Sequence, residues 1–490
     1  MTNIYLLGGV LLGYFALLML ISTFQGKKPS GNESFFRGDR RSPWIVVAIG
    51  MVGASLSGVS FVSVPGMVRA TDMTYMQTVL GFLVGYILIA KILLPVYYKM
   101  DAPSIYVYLR GRFGIRSYKT GASFFLISKL IGAAARLYVV AIILQTFIFD
   151  AFRVPFVLTV ALIILMIWLY TMKSGIKTIV WTDMLQTLAM LTTLVLMVIQ
   201  LAKSLDFNMK EIWQAIIASE HSHMFEWKDW SGKQHFVKQF FSGIFIALVM
   251  TGLDQDMMQK NLSINNLKDA QRNIYTYGFA FVPVNLLFLS LGVLLLIFAQ
   301  QNGIVLPSAN DDILPTLATQ GYLGNITTIV FLLGIVAAAF SSADSALTAL
   351  TTSLCVDILD KPKDVRLRRW MHVLISVVML LIILVFRAVN SGSLIDAIYT
   401  IAGYTYGPLL GLFAYGLCTK SAVNDKWTPY IAVAAPLFCA LLQYVSTHFW
   451  HYVFGYELLM INGLLTFVAL WLSGKTRKTG KTLGANPLVS

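Results

Sequence analysis

Charge is scarce in this chain. Only 12% of its 490 residues are Asp, Glu, Lys or Arg, while 57% are hydrophobic; an ordinary soluble domain carries roughly 25% charged residues. No soluble fold of this length has an interior large enough to hide so much apolar surface, so the solvent for most of the chain is lipid. The mean hydropathy of +0.72 points the same way. Cysteine is nearly absent: Cys355, Cys418 and Cys439 lie in apolar surroundings and are too few for a disulfide framework. The six histidines show no metal-ligand spacing, which argues against a membrane-embedded enzyme. No Gly-rich phosphate loop with a Lys-Ser/Thr pair occurs, so energy for pumping must come from an ion gradient rather than from ATP. Met1–Thr23 is apolar but lacks a basic start and a small-residue cleavage site, and is read as a retained span. After the last apolar run only the basic segment Gly474–Ser490 remains, without the signalling domain that a solute sensor would need.

Thirteen runs are long and apolar enough to cross a bilayer: 4–23, 44–68, 75–97, 120–148, 154–172, 177–201, 238–258, 274–299, 325–350, 369–388, 394–418, 428–447 and 456–473. Lipid cannot satisfy open strand edges, so all are helices. The fold class is an all-α integral membrane protein of about thirteen transmembrane helices in a single domain. The longest polar segment, Ala202–Val237, is expected as a loop with Trp213, Trp227 and Trp230 at the interface. The net charge of +14 reads as cytoplasmic loops rather than a nucleic-acid surface. Twenty-six of the 37 Lys and Arg fall on one side of the alternation, Lys260 among them; eight fall on the other. That bias puts the N-terminus outside and the C-terminus in the cytoplasm of the plasma (cell inner) membrane. Lys91, Lys129 and Arg136 are left inside spans.

Charge inside a span is expensive and marks function by default. Asp183 shares a helical face with Gln186. Ser341, Asp344 and Ser345 follow at i, i+3 and i+4, a polar stripe flanked by Ser342, and hydroxyls with carboxylates are hard oxygen ligands suited to a cation such as Na⁺. Arg136 and Lys129 either pair with Asp183 or Asp344 or bind an anionic solute. The second span is punctured by Gly50, Gly53, Ser55, Ser57, Gly58, Ser60, Ser63, Pro65 and Gly66, and the seventh by Gly243 and Thr251-Gly252-Leu-Asp-Gln-Asp256. Broken helices at matching positions of two halves point to a transporter's binding site. The second and seventh spans each open a five-helix unit, and an odd number of spans per unit inverts the second copy. The eleventh span, from Asp396 to Gly411, combines aromatics with a Gly407-Pro408 bend.

These residues resemble the sodium:solute symporter family, which includes sodium–sugar, sodium–proline and sodium–sialate carriers. The best marker is Trp181-Thr182-Asp183 with Gln186. Ser34-Phe-Phe-Arg-Gly38, Tyr108–Gly114, Asp254–Lys260, Ser341–Ser345 and Gly403–Gly411 support it, and the resemblance runs over residues 5–415. It implies the five-plus-five inverted repeat of the leucine-transporter class: an extra N-terminal helix (4–23), repeat one (44–201), repeat two (238–418) and C-terminal helices (428–473). It also implies a Na⁺ site from Gly53, Leu56, Ala338, Ser341 and Ser342, and a second cation site at Ser57, Ser60, Asp183, Asp344 and Ser345. Asp344 departs from the neutral hydroxyl residue usual in the family. The implied substrate pocket holds Ser55, Ser57, Ser60, Tyr75, Arg136, Phe240, Ile244 and Phe245. The expected function is Na⁺-coupled import of a small polar or anionic solute by alternating access, with a proton-coupled symporter and a solute sensor as the rival readings. The expected partners are the solute, Na⁺ and membrane lipid.

Overall fold

The computed structural model describes residues 4–25, 31–172, 175–389 and 394–475. Lys27, Lys28, Lys173, Arg477, Lys478 and Lys481, counted in the charge bias, and the side chains of Lys475 and Asp396 lie outside the described residues.

Among the described residues the only strand-like pairing is a single bridge, Glu226 to His235; the rest is helix and connections. The long helices are α1 (Ile4–Gln25), α2 (Trp44–Ser55), α3 (Gly58–Thr71), α4 (Tyr75–Met100), α5 (Ile115–Phe152), α6 (Phe156–Thr171) and α7 (Ile176–Ser204). After them come α8 (Met209–Ala218), α9 (Phe236–Gly252), α10 (Gln255–Leu262), α11 (Leu267–Gln301) and α12 (Gly324–Ile358). The chain closes with α13 (Val365–Val389), α14 (Leu394–Cys418), α15 (Thr428–Phe449) and α16 (Leu458–Lys475). Among the described residues seven helices are long and apolar enough to span a bilayer alone, and two bent pairs pass as broken spans: α2–α3, bent by 58°, and α9–α10, bent by 62°. Leu158, Leu162 and Leu165 on α6 and Val377, Leu381 and Val385 on α13 are exposed, as lipid-facing side chains must be.

Polar segments gained structure that hydropathy does not register. Ala202–Val237 is not a plain loop: α7 runs on to Ser204, and α8 follows. The Asn208 side chain accepts from the Glu211 amide and Glu211 reaches back to the Asn208 amide, a reciprocal cap that starts α8. Trp213, Trp227 and Trp230 stay exposed.

Three glycine contacts set where the broken helices sit. A Cβ on Gly53 would stand 2.1 Å from Thr187 Oγ1, and one on Gly50 2.9 Å from Asp183 Cβ. Only hydrogen at these positions lets α7 lie against α2 and bring Asp183 beside the first break. Likewise a Cβ on Gly243 would stand 2.2 Å from the Thr78 carbonyl oxygen, which pins α9 against α4.

Candidate functional site

A helix that stops inside a membrane leaves its last four carbonyls without intrahelical partners. α2 stops at Ser55. Leu56 then takes φ −88°, ψ 81°, Ser57 is extended, and α3 starts at Gly58. The freed carbonyls face α12, where Ser342 Oγ donates to the Ala54 oxygen at 3.4 Å and to the Ala338 oxygen at 3.2 Å. Leu56, Ala338 and Ser342 are buried. Carbonyl and hydroxyl oxygens from both helices thus converge in a dry place, a donor set that suits a hard monovalent cation.

The second break works by charge. Asp254 caps α10, accepting from the Asp256 amide at 2.8 Å and the Met257 amide at 3.4 Å. Its carboxylate also accepts from Tyr406 at 2.7 Å and pairs with Lys129 at 3.1 Å. Lys129 reaches Asp256 at 2.7 Å. Asp256 in turn lies 3.8 Å from Lys260, and Lys260 pairs with Asp183 at 2.8 Å. Ser341 donates to Asp183 Oδ1 at 2.7 Å and Ser345 to Oδ2 at 3.2 Å. Asp344 Oδ2 accepts from Tyr170 at 2.9 Å, and its buried Oδ1 has no hydrogen-bond partner among the described residues. Every member of this relay is almost completely buried. It ties α5 to α10, α10 to α7 and α7 to α12.

Between the breaks lies a cavity. Its polar lining is Ser55, Ser57, Ser60, Ser128, Lys129, Arg136, Thr251, Asp254 and the tyrosines 86, 277, 399 and 406; Phe82, Ile246, Met250 and Phe281 supply apolar wall. Tyr277 hydrogen-bonds to Ser55 at 2.6 Å and to Tyr86 at 2.7 Å. The cavity therefore adjoins both the freed carbonyls and one end of the charged relay.

Residues 35–425 match the model of the sodium:solute symporter family. The chain belongs to that family. A sodium/sialic acid symporter of Proteus mirabilis is 25% identical over 485 residues, covering 93% of this chain and 94% of that one. A sodium/sialic acid symporter of Aliivibrio fischeri is 23% identical, covering 93% and 92%. The fold is that of a solved substrate-bound, outward-open Na⁺-coupled sialic acid symporter, with a TM-score of 0.82 at 21% identity over 97% of this chain and 99% of that one. This membrane protein is a Na⁺-coupled secondary transporter and not an enzyme.

The symporter's geometry rearranges several expected residues. Ser55, Ser57, Ser60 and Arg136 line the cavity. Tyr75, Phe240, Ile244 and Phe245 do not. Tyr75 lies behind the wall, its hydroxyl 2.9 Å from that of Tyr399. Phe240 stacks on Phe236, and its carbonyl sits where a Gly81 side chain would go. Ile244 packs in the same α4–α9 contact, beside Gly81 and Gly85, and Phe245 is half-buried against the core. The next turns of the seventh span, Ile246 to Asp254, face the cavity instead. The second cation set is also divided: Asp183 and Ser345 meet in the relay, while no hydrogen bond among the described residues joins Ser57 or Ser60 to either carboxylate. The expected pairing of Lys129 or Arg136 with Asp183 or Asp344 is replaced by Lys129 with Asp254 and Asp256. Lys260, assigned to a cytoplasmic loop, is 1% exposed and holds Asp183. Sequence reading missed it because hydropathy ended the seventh span at 258. The Asp256–Lys260 spacing of i, i+4 was the available signal.

Proposed function

We propose that this symporter imports a carboxylate-bearing, hydroxyl-rich solute of the sialic-acid kind, drawn in by Na⁺ entry. One observation carries the reading: Arg136 faces the cavity and makes no ion pair within 4 Å among the described residues, whereas Lys129 is held by two aspartates. A guanidinium presented to a cavity offers a planar fork for a carboxylate, and the serine and tyrosine hydroxyls around it match a polyol. The sialic acid named for the relatives has both groups. Na⁺ is assigned to the carbonyls of Gly53, Leu56 and Ala338 with the hydroxyls of Ser341 and Ser342.

The topology belongs to the same reading. Three shorter apolar helices, at Gly8–Phe24, Phe156–Thr171 and Leu458–Gly474, with α14 bring the single and broken spans to thirteen. The breaks at Leu56 and Leu253 support inverted repeats at 44–201 and 238–418, flanked by the extra helix 4–23 and the C-terminal helices 428–473. The charge bias supports an inner-membrane protein with its N-terminus outside.

Equilibrium binding of radiolabelled N-acetylneuraminate to the purified protein tests the assignment. Binding is expected in NaCl and lost in choline chloride; equal binding in both, or none in either, overturns it. Ser342→Ala removes one hydroxyl ligand and leaves the carbonyls. A ligand of this kind contributes ~1–2 kcal/mol, so the Na⁺ concentration for half-maximal binding should rise by about tenfold. An unchanged Na⁺ dependence in a well-folded Ser342→Ala protein removes Ser342 from the site.

A further inference from the structure

We infer that the Lys260 ammonium is a tethered cation occupying the second cation position at Asp183, so that this symporter binds a single Na⁺ per cycle. The inference rests on the proposed Na⁺ site between α2 and α12 and adds the stoichiometry. Three observations carry it. First, Lys260 Nζ lies 2.8 Å from Asp183 Oδ2, with both side chains at most 1% exposed. A buried ion pair this close is already neutral without any ion from solution. Second, the remaining acceptor positions of Asp183 are directed elsewhere. Ser341 donates to Oδ1 and Ser345 to Oδ2, so two of the roughly four lone-pair positions of the carboxylate carry hydrogen bonds while the ammonium stands in ion-pair contact with Oδ2. Hydroxyls that donate to a carboxylate turn their hydrogens, not their oxygens, along that line. Third, Ser57 and Ser60, which would complete a cage, line the solute cavity. A second Na⁺ at Asp183 would meet the ammonium at contact range.

The local sequence explains how a lysine reaches this depth. α10 begins at the Asp254 cap, and all eight of its residues are buried. Asp256 and Lys260 fall one turn apart on that helix, and Asp256 holds Lys129. The ammonium is therefore fixed from two sides, by Asp183 on α7 and Asp256 on its own helix. Lys260 is a positioning residue that acts on Na⁺ through Asp183.

The test is the number of ²²Na⁺ ions bound per molecule of purified full-length protein in nanodiscs, which needs no knowledge of the solute. Wild type should bind one, with a Hill coefficient near 1. Lys260→Met keeps the length of the side chain and removes the charge; it should bind two, with a steeper Na⁺ dependence, and its melting temperature should rise more with added NaCl than that of wild type. Lys260→Arg keeps the cation and should bind one. Two ions bound by wild type, or no added ion in folded Lys260→Met, overturns the inference. If Lys260→Met does not fold, the wild-type count still decides. If wild type binds none while Lys260→Met binds one, the tethered cation stands and the Na⁺ site between α2 and α12 is what fails.

Discussion

Replacing Arg136 by Ala is expected to abolish measurable solute binding while leaving Na⁺ binding near its wild-type level. Arg136 is half-buried in the cavity wall, and no carboxylate among the described residues reaches it within 4 Å. An anionic solute therefore completes a charge pair that the protein leaves open. Truncating one partner of a desolvated, hydrogen-bonded charge pair costs ~2–5 kcal/mol, a loss of about 30-fold to several thousand-fold in affinity. Arg136→Lys keeps the charge but loses the planar fork, and should fall between wild type and Arg136→Ala. Calorimetric titration with N-acetylneuraminate in NaCl measures all three. Equal affinity in Arg136→Ala and wild type would mean that the solute carboxylate lies elsewhere in the cavity.

Asp183→Asn is expected to give the largest loss of stability of any single conservative change in the core. It leaves the Lys260 ammonium buried with only Asp256, 3.8 Å away, in ion-pair range. Breaking a buried pair from one side costs ~3–5 kcal/mol, whereas removing both partners in favour of apolar groups is often close to neutral. The double variant Asp183→Asn/Lys260→Met should therefore be more stable than Asp183→Asn alone, although it carries one more substitution. Thermal unfolding of the detergent-solubilised proteins in the absence of Na⁺ checks the order. A double variant less stable than both single variants would show that Asp183 and Lys260 contribute independently rather than as a pair.

The parts of the fold and site that were legible in the sequence share a physical cause. Apolar length sets the long helices, because a bilayer demands it, and the glycines and serines of the second span announced the break at Leu56. Ser341, Ser345 and Asp183 do converge, since each stands out as a polar group that lipid would reject. What was not legible lies where polar groups satisfy one another inside the protein. The second half of α10 reads as a loop because Gln259 and Lys260 depress its hydropathy, yet those groups face Asp183 and the backbone of Phe36. Span boundaries drawn by hydropathy must fail at such half-helices. Tyr277 and Tyr399 were passed over for a related reason: an aromatic in an apolar run gives no sign that it lines a cavity. The four residues expected in the pocket but not lining it, Tyr75, Phe240, Ile244 and Phe245, came from resemblance alone.

The most direct measurement of the central claim is uptake of radiolabelled N-acetylneuraminate by proteoliposomes containing the purified protein, under an inward Na⁺ gradient. Import driven by Na⁺ requires solute and ion to favour the same state of the carrier. The expected result is transient accumulation above the external concentration, abolished when choline replaces Na⁺ outside and unaffected by an imposed proton gradient alone. Accumulation that persists without Na⁺, or that follows the proton gradient instead, would contradict Na⁺-coupled import.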